Sequence, residues 1–205
     1  MNSKNTNARD SALKWINSLS DKSLLIDGKW QASVTGQTFS TFNPATEETL
    51  AAVAEASAQD IDRAVKAARK AFEAPSWSNL SPHARGKYLF KIAEQVERHG
   101  DELAAIESLN NGVPMHISLA RIRHIADTFQ YYGGWCSKLS GTTNPTDAEH
   151  FIYSLREPLG VCALINAWNV PLGMAAAKIA PALATGNVAI LKPAEQTPLS
   201  TLRLA

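Results

Sequence analysis

The 205-residue chain has little cysteine: only Cys136 and Cys162. Two isolated thiols exclude a disulfide framework and a cysteine-based zinc site. An excess of either charge is also lacking, because 20 Lys and Arg against 19 Asp and Glu leave a formal net charge of +1. No global basic field therefore points to nucleic acid or to an acidic membrane surface. GxGxxG, GxxxxGK[ST], GxSxG, HExxH and CxxC are all missing from the sequence, which removes the commonest phosphate-loop, serine-hydrolase and zinc signatures. The five histidines are His83, His99, His116, His124 and His150. No two stand at i, i+4 beside a carboxylate, so no metal ligand set is expected.

What is present fits a folded domain. The composition is 45% hydrophobic and 19% charged, ordinary for a globular protein and far from that of a disordered one. The length suits one large domain or one and a half. A chain of this size buries about 70% of its unfolded surface without a covalent or metal staple. The first 20 residues, MNSKNTNARDSALKWINSLS, hold no apolar run of the kind a secretory signal needs. Asp10 and the many Asn argue against a mitochondrial presequence, and residues 1–20 read as a flexible, solvated tail. At the other end the chain stops at TLRLA, soon after the helix-start signal Thr197-Pro198, as a fragment would.

Charge is also missing locally. From Pro158 to Leu191 there is one charged residue, Lys178, where the overall composition would supply about six. The uncharged run Pro158–Ala177 is long enough for a membrane span. It carries Asn166, Asn169, Pro171, Gly160 and Gly173, and amides in mid-membrane are costly. A buried strand followed by a buried helix explains the run better.

The elements before it follow from turn and cap signals. Asp27-Gly28 between apolar residues in LLIDGKW is a hairpin signal. Asn43 and Pro44 make a turn, and Leu50–Ala54 reads as a strand. Ser57 and Asp60 resemble a capping box for a helix from about Ala58, with an apolar stripe of Ile61, Val65, Ala68 and Phe72. Ser81-Pro82 opens a second helix whose stripe is Leu89, Ile92, Ala93 and Val96. A third runs from Asp101 to Asn110-Asn111-Gly112. A fourth runs from Pro114 to Gly133-Gly134. Core packing accounts for all four stripes. Gly141–Arg156 reads as a β-hairpin arm. Next come the apolar strand Gly160–Ile165, the loop NAWNVP, a helix Leu172–Ala184 and the strand Asn187–Leu191. That order predicts a right-handed βαβ unit on a parallel sheet buried on both faces.

Ligands of open α/β sheets bind beyond the carboxyl ends of the strands. Here that edge holds Asn166–Pro171 and Lys192–Pro198. Lys192 and Glu195 are close enough in sequence, within about 10 Å of chain, to reach one ligand. A carboxylate there can accept from ribose hydroxyls and repel a 2′-phosphate, or the pair is a solvated strand-to-helix turn. Asn169 can cap the following helix or donate to a developing oxyanion. Cys162, inside an apolar strand, reads as a small buried hydrophobe, and Cys136 has no histidine beside it. Neither is expected as a nucleophile.

At these two loops the sequence resembles the aldehyde dehydrogenase superfamily. The residues that carry the resemblance are EPLGV (Glu157–Val161), WNVPL (Trp168–Leu172), PALATGN (Pro181–Asn187) and KPAEQTP (Lys192–Pro198). LIDGKW, FNPATEE, IESLNNGVP and YYGGW upstream support it, so it spans about Leu24 to Ala205. It implies an α/β fold: a partial Rossmann-like parallel sheet with an N-terminal helical layer and a β-hairpin oligomerisation arm. The corresponding segments are the helical part of the cofactor-binding domain at 21–137, the arm at 138–157 and the truncated NAD-binding βαβ sheet at 158–205.

The resemblance also assigns roles. Asn169 matches the family's catalytic asparagine, Lys192 and Glu195 the residues that bind the adenosine ribose of NAD, and Ile165 and Trp168 positions along the cofactor path. Val170 and Met174 match positions near the aldehyde tunnel, and a small Val170 where many relatives carry an aromatic implies a wider tunnel. Ala167 departs from a proline common in the family. The family's glycine-rich turn, general-base glutamate and nucleophilic cysteine all lie downstream of the block at which this chain ends. The expected protein is thus the N-terminal portion of a cytoplasmic, NAD-dependent enzyme, a homodimer or homotetramer when complete. That enzyme would oxidise a small-molecule aldehyde to a carboxylic acid through a cysteine thiohemiacetal, with no nucleic acid or membrane partner. The alternative is a non-catalytic truncated module for nucleotide binding or oligomerisation.

Overall fold

The computed structural model describes residues 3–19 and 23–205. Residues 1, 2 and 20 of the expected tail, and 21 and 22 at the start of the next expected segment, lie outside the described residues. The tail expectation is corrected. Ser3–Ser18 forms a helix, α1. Ala8, Ala12 and Ile16, four residues apart, are buried in a cluster with Val53, Ala105, Ile106 and Leu199. Two of the three buried residues are alanines, so the stripe is faint in sequence. Its burial depends on α5 (Gly100–Asn111), a partner about 90 residues away in the chain, for most helical stability comes from tertiary packing.

Two antiparallel pairs follow. β1 (Leu24–Ile26) and β2 (Lys29–Gln31) are joined through Asp27 and Gly28. Both turn residues have positive φ, 53° and 69°, as a type I′ hairpin requires. β3 (Thr38–Phe42) pairs with β4 (Thr49–Ala54). In the turn between them the Asn43 side chain accepts from the Ala45 N–H at 3.0 Å, an Asx turn.

The helical layer is α2 (Ala58–Glu73), α3 (Pro75–Ser78), α4 (Pro82–Arg98), α5 (Gly100–Asn111) and α6 (Met115–Trp135). The capping box of α2 is complete, with Ser57 and Asp60 each accepting from the other's backbone N–H. Ser81 caps α4 through Ala84 N–H at 3.2 Å. The stripes of α4, α5 and α6 meet in one core: Leu89, Ala93, Val96, Leu103, Ile122, Ile125 and Phe129. Two expectations change here. On α2, Ile61 and Val65 are 44% and 43% exposed, while Ala64, Ala67, Ala68 and Phe72 are half-buried. Small side chains let this helix approach the strands it packs on, β7 (Val161–Ile165) and β8 (Val188–Lys192). And α6 continues through Gly133-Gly134 to Trp135. A Cβ on Gly86 of α4 would stand 2.6 Å from the Gly133 carbonyl oxygen, so these glycines permit a close helix crossing and do not end the helix.

β5 (Thr143–Asn144) and β6 (Ile152–Tyr153) form a short antiparallel pair. Then β7 (Val161–Ile165), α7 (Pro171–Ala184) and β8 (Val188–Lys192) make a βαβ unit. Its strands are parallel, in register from Val161↔Val188 to Ile165↔Lys192. α8 (Leu199–Leu204) ends the chain. α2 and α7 both pack on the strands, yet every residue of β7 and β8 is half-buried or exposed. Full burial on both faces is therefore corrected: among the described residues each strand of this pair keeps one unpaired edge, and helices on the faces leave such edges open. Cys162, on β7, is half-buried accordingly, whereas Cys136 is buried. No helix among the described residues is long and apolar enough to cross a membrane.

Candidate functional site

Because β7 and β8 are parallel and in register, the loops that follow them leave the sheet at the same end. The Asn166 N–H donates to the Lys192 carbonyl at 3.0 Å, extending the ladder one residue past the strand. The first loop, Asn166–Val170, then turns into α7 at Pro171, the first helical residue. Asn166 is buried, and its Nδ2 donates to the Pro171 carbonyl at 3.1 Å, tying the two ends of the loop together. Its Oδ1 is buried without a partner. Lys178, about two turns into α7, reaches the Ile165 carbonyl.

The residues between these anchors point outward. Ile165 and Trp168 are 66% and 60% exposed, large apolar surfaces beside a strand terminus. Asn169 is exposed and Val170 half-buried. The first turn of α7 receives no side-chain cap, so the capping reading of Asn169 does not hold. Val170 and Met174, one turn apart, are neighbours on a helix surface, and Met174 N–H closes the first helical bond on the Val170 carbonyl. A Cβ on Gly173 would stand 2.9 Å from Val170 Cγ1, so the glycine makes room for that side chain.

On the second loop Lys192 and Glu195 are brought together as an ion pair. The Lys192 ammonium, together with a backbone N–H, holds the Glu195 carboxyl below the usual carboxylate range. An ionised carboxylate on a partly exposed turn is an acceptor for sugar hydroxyls.

Four anchoring residues were not singled out by sequence reasoning. Asn110, in the last turn of α5, is buried. Its Nδ2 donates to Thr41 Oγ1 at 2.8 Å and the Gln196 carbonyl at 3.3 Å, and its Oδ1 accepts from Leu199 N–H at 3.1 Å. Thr41 Oγ1 itself donates to the Gln196 carbonyl at 3.2 Å. Asn111 Nδ2 donates to the Trp168 carbonyl at 2.9 Å. Thr197 Oγ1 donates to that same carbonyl at 3.0 Å. In sequence Asn110-Asn111-Gly112 signals only a helix stop, and Gly112 does end α5 with φ +80°. Among the described residues no three His, Cys, Asp or Glu stand together as metal ligands would.

Comparison with known proteins finds relatives along most of the chain. The profile of the Aldehyde dehydrogenase family matches residues 30–205. Putative aldehyde dehydrogenase DhaS of Bacillus subtilis is 50% identical over 190 residues, covering 90% of this chain and 37% of that protein. The NAD+ complex structure of an aldehyde dehydrogenase from Bacillus cereus superposes with a TM-score of 0.86 at 44% identity, over 88% of this chain and 37% of that one. A betaine aldehyde dehydrogenase from Staphylococcus aureus, also in complex with NAD+, superposes with a TM-score of 0.90 at 36% identity, over 96% and 39%. The chain thus spans little more than a third of the length of these relatives.

Proposed function

Since the chain belongs to the aldehyde dehydrogenase family, we propose that it is the N-terminal portion of an enzyme that oxidises an aldehyde to a carboxylic acid with NAD. The observation that carries this reading is the pair of loops at one end of the β7–β8 ribbon. One presents an uncommitted amide, Asn169, and the other an ionised Glu195 held by Lys192.

In this reading Lys192 and Glu195 bind the adenosine ribose, the carboxylate accepting from its hydroxyls and disfavouring a 2′-phosphate by charge. Ile165 and Trp168 line the path of the cofactor and keep water from it. NAD, when bound, supplies the hydride acceptor. Asn169 donates from its amide to the oxyanion formed when a cysteine thiolate, contributed by the rest of the protein, adds to the aldehyde carbonyl and gives a thiohemiacetal. Such a donor acts in the transition state more than in the ground state, which is what raises turnover. Val170 and Met174 face the aldehyde, and the small Val170 admits a wider substrate than an aromatic there would. The remaining assignments are architectural. Residues 158–205 begin a Rossmann-like NAD-binding sheet, 21–137 form its helical layer, and 138–157 form an arm for homodimers or homotetramers.

Asn169→Ala in the full-length enzyme tests the central assignment. Loss of one oxyanion donor costs about 3–4 kcal/mol of barrier, so kcat should fall about 100- to 1000-fold with little change in NAD affinity. A fall of less than about tenfold in steady-state turnover excludes the oxyanion role.

A further inference from the structure

Two neighbouring side chains at the end of α5 hold both loops of the proposed site. Asn110 binds the second loop at the Gln196 carbonyl and the Leu199 N–H. Asn111 binds the first at the Trp168 carbonyl, the peptide group that immediately precedes Asn169. Thr197 on the second loop donates to that same carbonyl, so the two loops are also tied directly to each other. The Trp168 carbonyl therefore has two donors from two different parts of the chain, although the loop that bears it is exposed.

This arrangement does more than satisfy buried polar groups. Asn111 is half-buried and Trp168 and Asn169 are exposed, so water would serve the same carbonyl if only satisfaction were needed. Two directed protein donors instead fix the plane of the Trp168–Asn169 peptide, and that plane sets the direction in which the Asn169 side chain leaves the backbone. Catalytic donors have to be held within roughly 0.5 Å of their working place by groups that are themselves held. α5 is suited to the task. It packs against α1, α6 and α8, and Gly112, where a Cβ would stand 2.8 Å from Pro44 Cγ, seats its last turn closely on the β3–β4 turn.

We propose that Asn111 is a positioning residue for the oxyanion donor: by holding the Trp168 carbonyl jointly with Thr197, it sets where the Asn169 amide stands, while Asn110 sets the loop of Lys192 and Glu195. The proposal rests on the functional reading above for the roles of the two loops, but not for the clamp itself.

The test uses the full-length protein and the variants Asn111→Ala, Asn111→Asp and Thr197→Val. Steady-state rates are measured with NAD and a panel of aliphatic and aromatic aldehydes, and hydrogen exchange by mass spectrometry is followed in peptides covering 166–174, with α2 as the reference. Asn111→Ala should lower kcat about 10- to 100-fold and leave the KM for NAD within about twofold, the effect of a misplaced donor on an intact cofactor site. Exchange should quicken in 166–174 and stay unchanged in α2. Asn111→Asp keeps the shape but replaces the amide donor with a carboxylate facing a carbonyl, and must reproduce the alanine pattern. Thr197→Val should show the same pattern in smaller measure, and together with Asn111→Asp it decides the question if the alanine variant fails to fold. Wild-type kcat and exchange in Asn111→Asp overturn the proposal. So does a loss of protection spread evenly over the molecule, which would mean a merely structural role. If the wild-type protein oxidises no aldehyde, the functional reading fails, and the exchange data alone still decide whether the clamp exists.

Discussion

At the scale of single residues, two buried carboxylates behave in opposite ways, and their neighbours say why. Burial raises the pKa of Asp60, but hydrogen bonds from the Ser57 backbone and hydroxyl, from Ser33 and from Val34 N–H overcome it and bring the value down to about 2. Ser33 Oγ and Ser57 Oγ each donate at 2.8 Å and Ser57 N–H at 2.9 Å. A depressed carboxyl contributes stability that is fully present above its unfolded pKa and is lost as the pH falls through its folded one. Asp60→Asn should therefore lower stability near neutral pH by on the order of 2 kcal/mol, and the difference from wild type should shrink between about pH 4 and pH 2. Urea titrations across that range read both. Glu107 has the reverse sign. Burial pushes its carboxyl up, and the Leu172 N–H and the charge of Arg121 only partly offset this. Its stabilising share is present at low pH and declines as the pH rises through its elevated folded value.

At the scale of elements, the crossing of α4 and α6 depends on two hydrogen atoms in place of side chains. By helix propensity alone, Gly86→Ala would stabilise α4 by up to about 1 kcal/mol. The added Cβ, however, meets the Gly133 carbonyl oxygen at 2.6 Å and cannot be accommodated without moving a helix backbone. Overpacking of this kind costs about 1–3 kcal/mol, so the net effect should be a loss, seen as a lower midpoint in chemical denaturation with an unchanged m-value. A neutral or stabilising outcome would mean that the two helices lie farther apart than described. The same contact gives Gly133 a reason to stand inside α6, which continues past it to Trp135. A glycine pair signals a stop only when nothing else requires the missing side chains.

At the scale of the whole molecule, apolar surface gathers toward the C-terminal half. Phe151, Leu155, Leu159, Ile165 and Trp168 are all exposed. Among the described residues, β7 and β8 pair only with each other. Open edges of a sheet that carries apolar residues are templates for further pairing. The 205-residue chain expressed alone should consequently self-associate at micromolar concentration, as size-exclusion chromatography with light scattering would show. A monodisperse monomer would instead favour an independent module. In the relatives, more than half of the chain lies outside the matched region, which is ample material to cover such a surface.

Sequence alone determined the features whose causes are local. The Asp27-Gly28 turn, the Ser57–Asp60 capping box, the Ser81-Pro82 helix start and the strand–helix–strand order of residues 160–192 are each written in a few adjacent residues. So were the places of Asn169, Lys192 and Glu195, since a loop after an apolar strand is recognisable from its polarity. Tertiary structure decided whatever needs a distant partner. Ala8, Ala12 and Ile16 form a helix face only because α5 is there to cover them. Gly133 is a contact residue only because Gly86 lies against it. Asn110 and Asn111 read as the end of a helix until folding places their amides against Gln196 and Trp168, 86 and 57 residues away in the chain. Hydrogen bonds and close packing depend on distance in space, and chain order reports that distance only over a turn or two.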